Sequence, residues 1–254
     1  SDHEVNIKIA LSQAIKSKKI TLKKRNILLE EMTDDVSSLV LVDNQLQSGA
    51  ITIARLQSIR DLPYYQSFIS YLEKQDLLNR EIEFLPSDIE LKRRDAEKLG
   101  LTRPELCVLL SYSKMKLYNE IINTKLVDDN YFESMLFEYF PSKISRNFQD
   151  QVKNHQLRRE IIATQITNSL VNRGGIIFYP QIMQEGNYSI EEIARAYIIV
   201  RDSFDLEEIW QEIENLDDKI ASDIQVKLFY NVNKLLERSV LCLLRNKGGI
   251  GDIK

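Results

Sequence analysis

The feature that most constrains the fold of this chain is a stretch without charges. No Asp, Glu, Lys or Arg occurs over 161–172, although these residues make up 28% of the sequence. Its apolar side chains recur at three- and four-residue steps, the period of a helix, and a helix without a charged face is usually covered on most sides. We therefore predict a central, buried helix that Gly174 and Gly175 end. Its predicted core residues are Leu157, Ile161, Ile162, Gln165, Ile166, Asn168, Leu170 and Asn172.

The residues that form turns are scarce, which favours a helical protein. The 254 residues include 8 Gly and 5 Pro, about half of the usual share. A serine or threonine followed three residues later by glutamate predicts helix starts at Ser87, Thr102 and Ser189. The short extended stretch 79–86 has no evident partner, so we predict a loop or edge segment there. The predicted fold class is all-α, an orthogonal or antiparallel bundle of about ten helices with no significant sheet.

Charge and cysteine content narrow the classes of function. The net charge of −4 does not favour a nucleic-acid partner, which requires a basic surface. No apolar run approaches the roughly 18 residues of a membrane span, so we predict no membrane partner. Cys107 and Cys242 lie in apolar helical patterns, and we interpret them as buried free thiols rather than a disulfide or a catalytic thiol. So few cysteines favour the reducing cytoplasm as the compartment.

The groups able to carry chemistry form no recognisable catalytic or metal-binding motif. His3 and His155 have no second metal-type ligand at helical spacing, and we interpret His155 as a hydrogen-bonded histidine at a helix end. Adjacent carboxylates such as Glu30 and Glu31 do not face each other on a helix. No glycine-rich loop suited to a phosphate is present. The sequence therefore predicts no catalytic residue, no metal site and no cofactor site in this chain.

Three motifs resemble one known family. SDHEVNIKI at 1–9, LTRPELCVLLSYSK at 101–114 and LRREIIATQ at 157–165 are similar, in order, to the C-terminal region of the large bacterial NAD-specific glutamate dehydrogenases. Those enzymes bind NAD beside a Rossmann crevice and oxidise glutamate to 2-oxoglutarate and ammonia. Their catalytic residues have no counterpart in residues 10–254. The resemblance implies that this chain is the tail of a longer enzyme and that NAD binds outside it.

The resemblance also implies a domain organisation. Residues 1–20 would be a helix from the end of the catalytic domain, and residues 21–247 an all-helical C-terminal domain with a sub-boundary near 79–100. Residues 248–254 would form a disordered tail. In the wider family a serine at the head of the equivalent helix contacts the substrate carboxylate. Ser1 corresponds to that serine, and the alternative is that it only caps the helix.

The predicted function is that of a helical scaffold that buttresses the catalytic domain and helps the enzyme assemble. Its partners would be the catalytic domain of its own enzyme and further copies in a homo-oligomer. The aromatic series at 131–140 is interpreted as core or subunit contact. The segment alone is expected not to oxidise glutamate. The alternative is a free-standing helical interaction module with no enzymatic role, whose partner is a separate protein.

Overall fold

The structure, a computed structural model, describes residues 1–246 and has no strand in that range. The all-α prediction is confirmed. The described residues form fourteen α-helices, more than we predict, because the chain over 126–153 breaks into short pieces. The helices are α1 (Asp2–Lys16), α2 (Leu22–Glu31), α3 (Thr33–Arg60), α4 (Leu62–Lys74), α5 (Asp88–Ala96), α6 (Arg103–Ile121), α7 (Glu133–Glu138), α8 (Ser142–Asn147), α9 (Gln149–Lys153), α10 (Arg158–Ser169), α11 (Phe178–Glu185), α12 (Ile190–Ser203), α13 (Leu206–Glu214) and α14 (Ser222–Arg245).

The chain divides into two compact units. Unit 1 comprises Ser1–Leu46 and Ile121–Ile166, and unit 2 comprises Gln47–Glu120 and the chain from Thr167 onwards. The domain boundary at residue 20 and the sub-boundary near 79–100 stay predictions. The predicted disordered tail lies outside the described residues.

Unit 1 is built around the first helix. α1 packs against α9, and α7, α8 and α9 pack on one another. The face that α1 buries repeats every three or four residues, with Ile7, Leu11 and Ala14 fully covered, as expected for an amphipathic helix. Three aromatic side chains from the segment before α8 complete this core, namely Phe132, Tyr139 and Phe140.

Unit 2 has its core where α12, α13 and α14 pack together, with α11 beside α12 and α14. The indole of Trp210 on α13 is completely buried. The guanidinium of Arg173 lies 4.9 Å from the centre of that indole ring and donates to Glu214 Oε1 at 2.5 Å. A single arginine therefore joins the segment after α10 to α13 through a cation–π contact and an ion pair.

The central helix corresponds to α10 and a π-helical turn over Leu170–Gly174. Including Leu157 in the core is wrong, since 37% of this residue is exposed and it precedes the first turn of α10. Gln165 and Asn168 are half-buried, so the prediction that they belong to the core is also wrong. The predicted core residues that are buried are Ile161, Ile162, Ile166, Leu170 and Asn172.

The end of the central helix depends on one glycine. Gly175 has a φ of +112°, a conformation that side chains rarely tolerate. A Cβ atom at this position would lie 3.2 Å from Gln57 Oε1. Gly175 therefore ends the helix as predicted, and it also leaves room for a buried glutamine.

Two sequence interpretations about the surface can be compared with the structure. Cys107 and Cys242 are free but exposed, so the prediction that they are buried is wrong. Each occupies a position on α6 or α14 that points away from the buried stripe of its helix. Among residues 1–246, none of the helices is both long and apolar enough to cross a bilayer.

Candidate functional site

The predicted substrate residue, Ser1, heads α1 and is exposed. Its hydroxyl oxygen accepts a hydrogen bond from the backbone N–H of Glu4 at 3.4 Å, so it caps the helix. Asp2 and Glu4 lie in the first turn, where carboxylates suit the positive end of the helix dipole. The cap bond is long, and the hydroxyl proton remains available to an acceptor in solvent.

His3 is buried behind Ser1 and faces two hydrogen-bond acceptors. Its Nδ1 lies 3.1 Å from the carbonyl oxygen of Tyr139, and its Nε2 lies 3.3 Å from Asp43 Oδ2. A carbonyl oxygen can only accept, so Nδ1 carries a proton and donates it. The ring is also stacked on the Tyr139 ring, with centroids 4.3 Å apart. These contacts join α1 to α3 and to the end of α7.

Asn6 lies one turn further along the same buried face of α1. Its Nδ2 donates to the hydroxyl oxygen of Tyr139 at 2.8 Å, and that hydroxyl lies 3.4 Å from Asp2 Oδ2. Burial raises the pKa of Tyr139, so the phenol stays neutral and can donate to the Asp2 carboxylate. Asn6 Oδ1 is buried and has no hydrogen-bond partner in the described part of the chain.

His155 contacts the same turn of α1 from the segment before α10. Its Nε2 donates to the backbone carbonyl of Asn6 at 3.0 Å, and its Nδ1 accepts the N–H of Leu157 at 3.1 Å. These two bonds require the neutral ring with its proton on Nε2. Burial lowers the pKa of His155 and favours the same neutral form, while the bond to Asn6 opposes the shift. His155 is thus a hydrogen-bonded histidine at a helix end, as the sequence indicates.

We call His3, Asn6, Asp43, Tyr139 and His155 the α1 network. All five belong to unit 1, and together they fix the first two turns of α1 from three other segments. These contacts can hold α1 in place and orient it. It lacks the elements of a metal centre, since no group of three metal-type ligands occurs within residues 1–246. Its chemistry is that of a positioning device for the residue at the head of α1.

Sequence reasoning missed Asn6, Asp43 and Tyr139 as members of this site. One signal was present: His3 and Asn6 stand three residues apart, on the face of α1 that continues through Ala10. Two polar residues on an otherwise apolar helix face indicate buried hydrogen-bond partners. Nothing in the local pattern identifies Tyr139 as that partner, because it lies more than a hundred residues later in the chain.

Two family models match the chain. Residues 98–254 match the model described as "Glutamate dehydrogenase, C-terminal". Residues 1–54 match the model described as "Bacterial NAD-glutamate dehydrogenase, catalytic domain". The chain is also 42% identical, over 98% of its length, to the NAD-specific glutamate dehydrogenase of Halomonas elongata. The chain belongs to the large bacterial NAD-specific glutamate dehydrogenase family.

Other members of the family agree with this assignment. Identity is 40% over 97% of the chain with the Pseudomonas aeruginosa NAD-specific glutamate dehydrogenase. It is 35% over 96% of the chain with the Mycobacterium tuberculosis enzyme of the same name. The chain spans only 16% of the Halomonas enzyme and 15% of each of the other two.

The two family matches meet inside unit 1. The first segment of this unit, Ser1–Leu46, lies within the catalytic-domain match, and the second, Ile121–Ile166, lies within the C-terminal match. The α1 network joins them, since His3, Asn6 and Asp43 come from the first segment. Tyr139 and His155 come from the second. The catalytic-domain match also extends beyond the boundary that we predict at residue 20.

Proposed function

We propose that this chain is the helical scaffold and assembly part of an NAD-dependent glutamate dehydrogenase in the cytoplasm. The parent enzyme converts L-glutamate, NAD and water into 2-oxoglutarate, ammonia and NADH. Its catalytic and NAD sites lie outside this segment, which is inactive alone. Membership of the family supports the proposal, as does the small share of each relative that the chain spans.

The observation that carries the proposal is that unit 1 is built from two segments that match different family models. Its first segment matches the catalytic-domain model, and its second matches the C-terminal model. The α1 network connects the two with hydrogen bonds that are largely buried, such as Asn6 to Tyr139 at 2.8 Å. Buried hydrogen bonds stabilise one defined arrangement, because leaving either partner without the other is costly. The C-terminal helices therefore act as a buttress for the end of the catalytic part.

Truncation of the full-length enzyme tests this role. Removing residues 21–254 should lower the melting temperature or change the size of the assembly, because α1 loses its supports. Thermal unfolding, light scattering after size exclusion, and steady-state kinetics measure these effects. Unchanged stability, assembly and kinetics would contradict the scaffold. They would favour instead the free-standing interaction module, whose separate protein partner would then be sought by co-purification.

Within this proposal, Ser1 contacts the carboxylate of glutamate. It is exposed at the positive end of α1, and the α1 network fixes the helix that carries it. In the full-length enzyme, Ser1→Ala should raise the KM for glutamate roughly tenfold or more, which is the loss of a hydrogen bond to a charged group. Ser12→Ala is the matched control, since Ser12 is exposed on the same helix and donates to Lys8 O at 2.7 Å. An unchanged KM in Ser1→Ala would leave Ser1 as a helix cap alone.

The assembly part of the proposal is supported by an apolar loop in unit 2. Phe84 is 90% exposed and Ile82 is 70% exposed. Arg80 holds the loop, pairing with Glu73 Oε2 at 2.6 Å and Asp88 Oδ1 at 2.8 Å. A rigid, exposed apolar surface is typical of a protein interface, because little conformational freedom is lost on binding. We place a contact with a second copy of the enzyme here.

Replacing Phe84 tests that contact. Phe84 has a φ of +54°, a conformation that asparagine tolerates well. Phe84→Asn should therefore preserve the turn while it removes the apolar ring. We expect a smaller assembly of the full-length enzyme by light scattering, whereas the exposed Leu22→Asn in unit 1 should leave its mass unchanged. An unaltered mass in Phe84→Asn would remove this loop from the interface.

A further inference from the structure

A cleft of unit 2 that the proposed function does not use is lined by positive charge. Its volume is about 450 Å³, within the range of small-molecule sites. The end of α3, the end of α5, and the connection from α5 to α6 form its walls. The basic residues that line it are Arg55, Arg94, Lys98 and Arg103, and none of the described residues that line it is acidic.

Three of these four cations have no acidic partner among residues 1–246. Arg94 is paired, with Glu90 and Glu105 each at 2.8 Å. Arg55 and Lys98 have no acidic partner within the described residues, and Arg103 donates to the hydroxyl of Thr52 at 3.1 Å. Like charges that converge on a concave surface raise the local concentration of anions. The cleft therefore attracts anions through about three positive charges that no carboxylate in the described part of the chain neutralises.

The floor of the cleft is apolar and firmly held. Ile59 and Leu99 line it and expose 37% and 48% of their surface. The buried hydroxyl of Ser58 donates to Arg55 O at 3.0 Å and accepts the N–H of Leu101 at 3.0 Å. It therefore ties the loop to α3, and the site exists before any ligand binds.

We propose that this cleft binds an organic phosphate. A phosphate dianion offers three oxygen acceptors, which suits two guanidinium groups and one ammonium better than a single carboxylate does. The apolar floor fits the organic part of the ligand, which would cover Ile59 and Leu99. The site lies wholly within unit 2 and does not depend on the scaffold role proposed above.

Titration calorimetry at low salt tests the site on the purified chain. The probes are AMP, inorganic phosphate and succinate. AMP should bind about tenfold more tightly than inorganic phosphate, because its base covers the apolar floor. Added salt should weaken the binding of both. Failure of AMP to bind, or tighter binding of succinate than of AMP, would overturn the assignment to an organic phosphate.

Lys98 allows a matched pair of variants. It has a φ of +57° just after the C-cap of α5, where glycine is the usual residue, so Lys98→Gly relaxes the backbone. Lys18 has a φ of +59° in the same position after α1, and it does not line the cleft. Lys98→Gly should weaken AMP binding about tenfold or more, and Lys18→Gly should leave it unchanged. Equal affinity in the two variants would contradict the proposal.

Discussion

At the scale of single residues, the site owes its geometry to Tyr139. Its hydroxyl accepts from Asn6 at 2.8 Å, its carbonyl oxygen accepts from His3 at 3.1 Å, and its ring stacks on that histidine. One residue thus supplies three different contacts to the same face of α1. Because the contacts are buried, losing one of them leaves a polar group without water or a protein partner.

Removing the hydroxyl of Tyr139 should therefore destabilise unit 1. Tyr139→Phe keeps the ring stacked on His3 but leaves the Asn6 amide unpaired, and we expect a loss of about 1–3 kcal/mol in the free energy of unfolding. Tyr64→Phe is the control, since the hydroxyl of Tyr64 has no hydrogen-bond partner among the described residues. Urea unfolding measures both variants. An equal effect of the two would mean that the bond to Asn6 contributes nothing.

The protonation of His155 gives a second prediction at this scale. Burial lowers the pKa of His155 below its usual 6.5. Between that lowered pKa and pH 6.5, the unfolded chain therefore binds a proton at this histidine that the folded chain does not bind. The histidine's contribution to stability is therefore full above about pH 6.5 and falls as the pH drops towards the folded-state pKa. His155→Gln should lose this part of the pH dependence in urea unfolding.

Nuclear magnetic resonance can observe the same histidine directly. Long-range nitrogen–proton spectra at pH 7 should show the His155 ring neutral with its proton on Nε2. A charged ring, or a proton on Nδ1, would contradict the hydrogen bonds to Asn6 and Leu157.

At the scale of elements, the capping motifs in the sequence predict the helix starts correctly, but the hydrogen bonds of each cap differ. Ser189 and Glu192 form the complete reciprocal capping box. Glu105 accepts the N–H of Thr102 at 2.7 Å but also pairs with Arg94. The glutamate three residues after Ser87 is taken up by Arg93 and Arg94 instead. Local patterns thus identify the helix starts, whereas long side chains from neighbouring turns decide the rest of the cap.

In the site as well, the sequence predicts local properties but not contacts between distant parts of the chain. The position of Ser1 at the head of a helix and the hydrogen-bonded His155 are local properties, and both could be predicted. Tyr139 is predicted only as part of an aromatic core, because its pairing with Asn6 depends on the packing of α1. The division of 133–153 into the short helices α7, α8 and α9 is likewise not predicted from the sequence.

Two glycines show how elements respond to one added methyl group. A Cβ on Gly49, inside α3, would meet nothing within 4 Å, and Gly49→Ala should stabilise the chain by about 0.5–1 kcal/mol through helix propensity. A Cβ on Gly100 would lie 2.3 Å from Ser58 Oγ, so Gly100→Ala should destabilise it by about 1–3 kcal/mol. Thermal or urea unfolding of both variants checks the signs. Equal signs would contradict the packing of the α5–α6 connection on α3.

At the scale of the whole molecule, unit 1 combines one segment from each family match. Residues from the catalytic-domain match and from the C-terminal match share its core. Family membership could be inferred from the motifs at 1–9, 101–114 and 157–165. The division of the chain into units could not, because α3, α6 and α10 each pass from one unit to the other without a break in their helical pattern.

We propose that this chain supports glutamate oxidation by its parent enzyme without performing it. Glutamate-dependent reduction of NAD, measured side by side on the purified chain and on the full-length enzyme, tests it most directly. We expect NADH to form with the full-length enzyme and none above background with the chain alone. Turnover by the chain alone that rises with glutamate and with NAD would contradict the account.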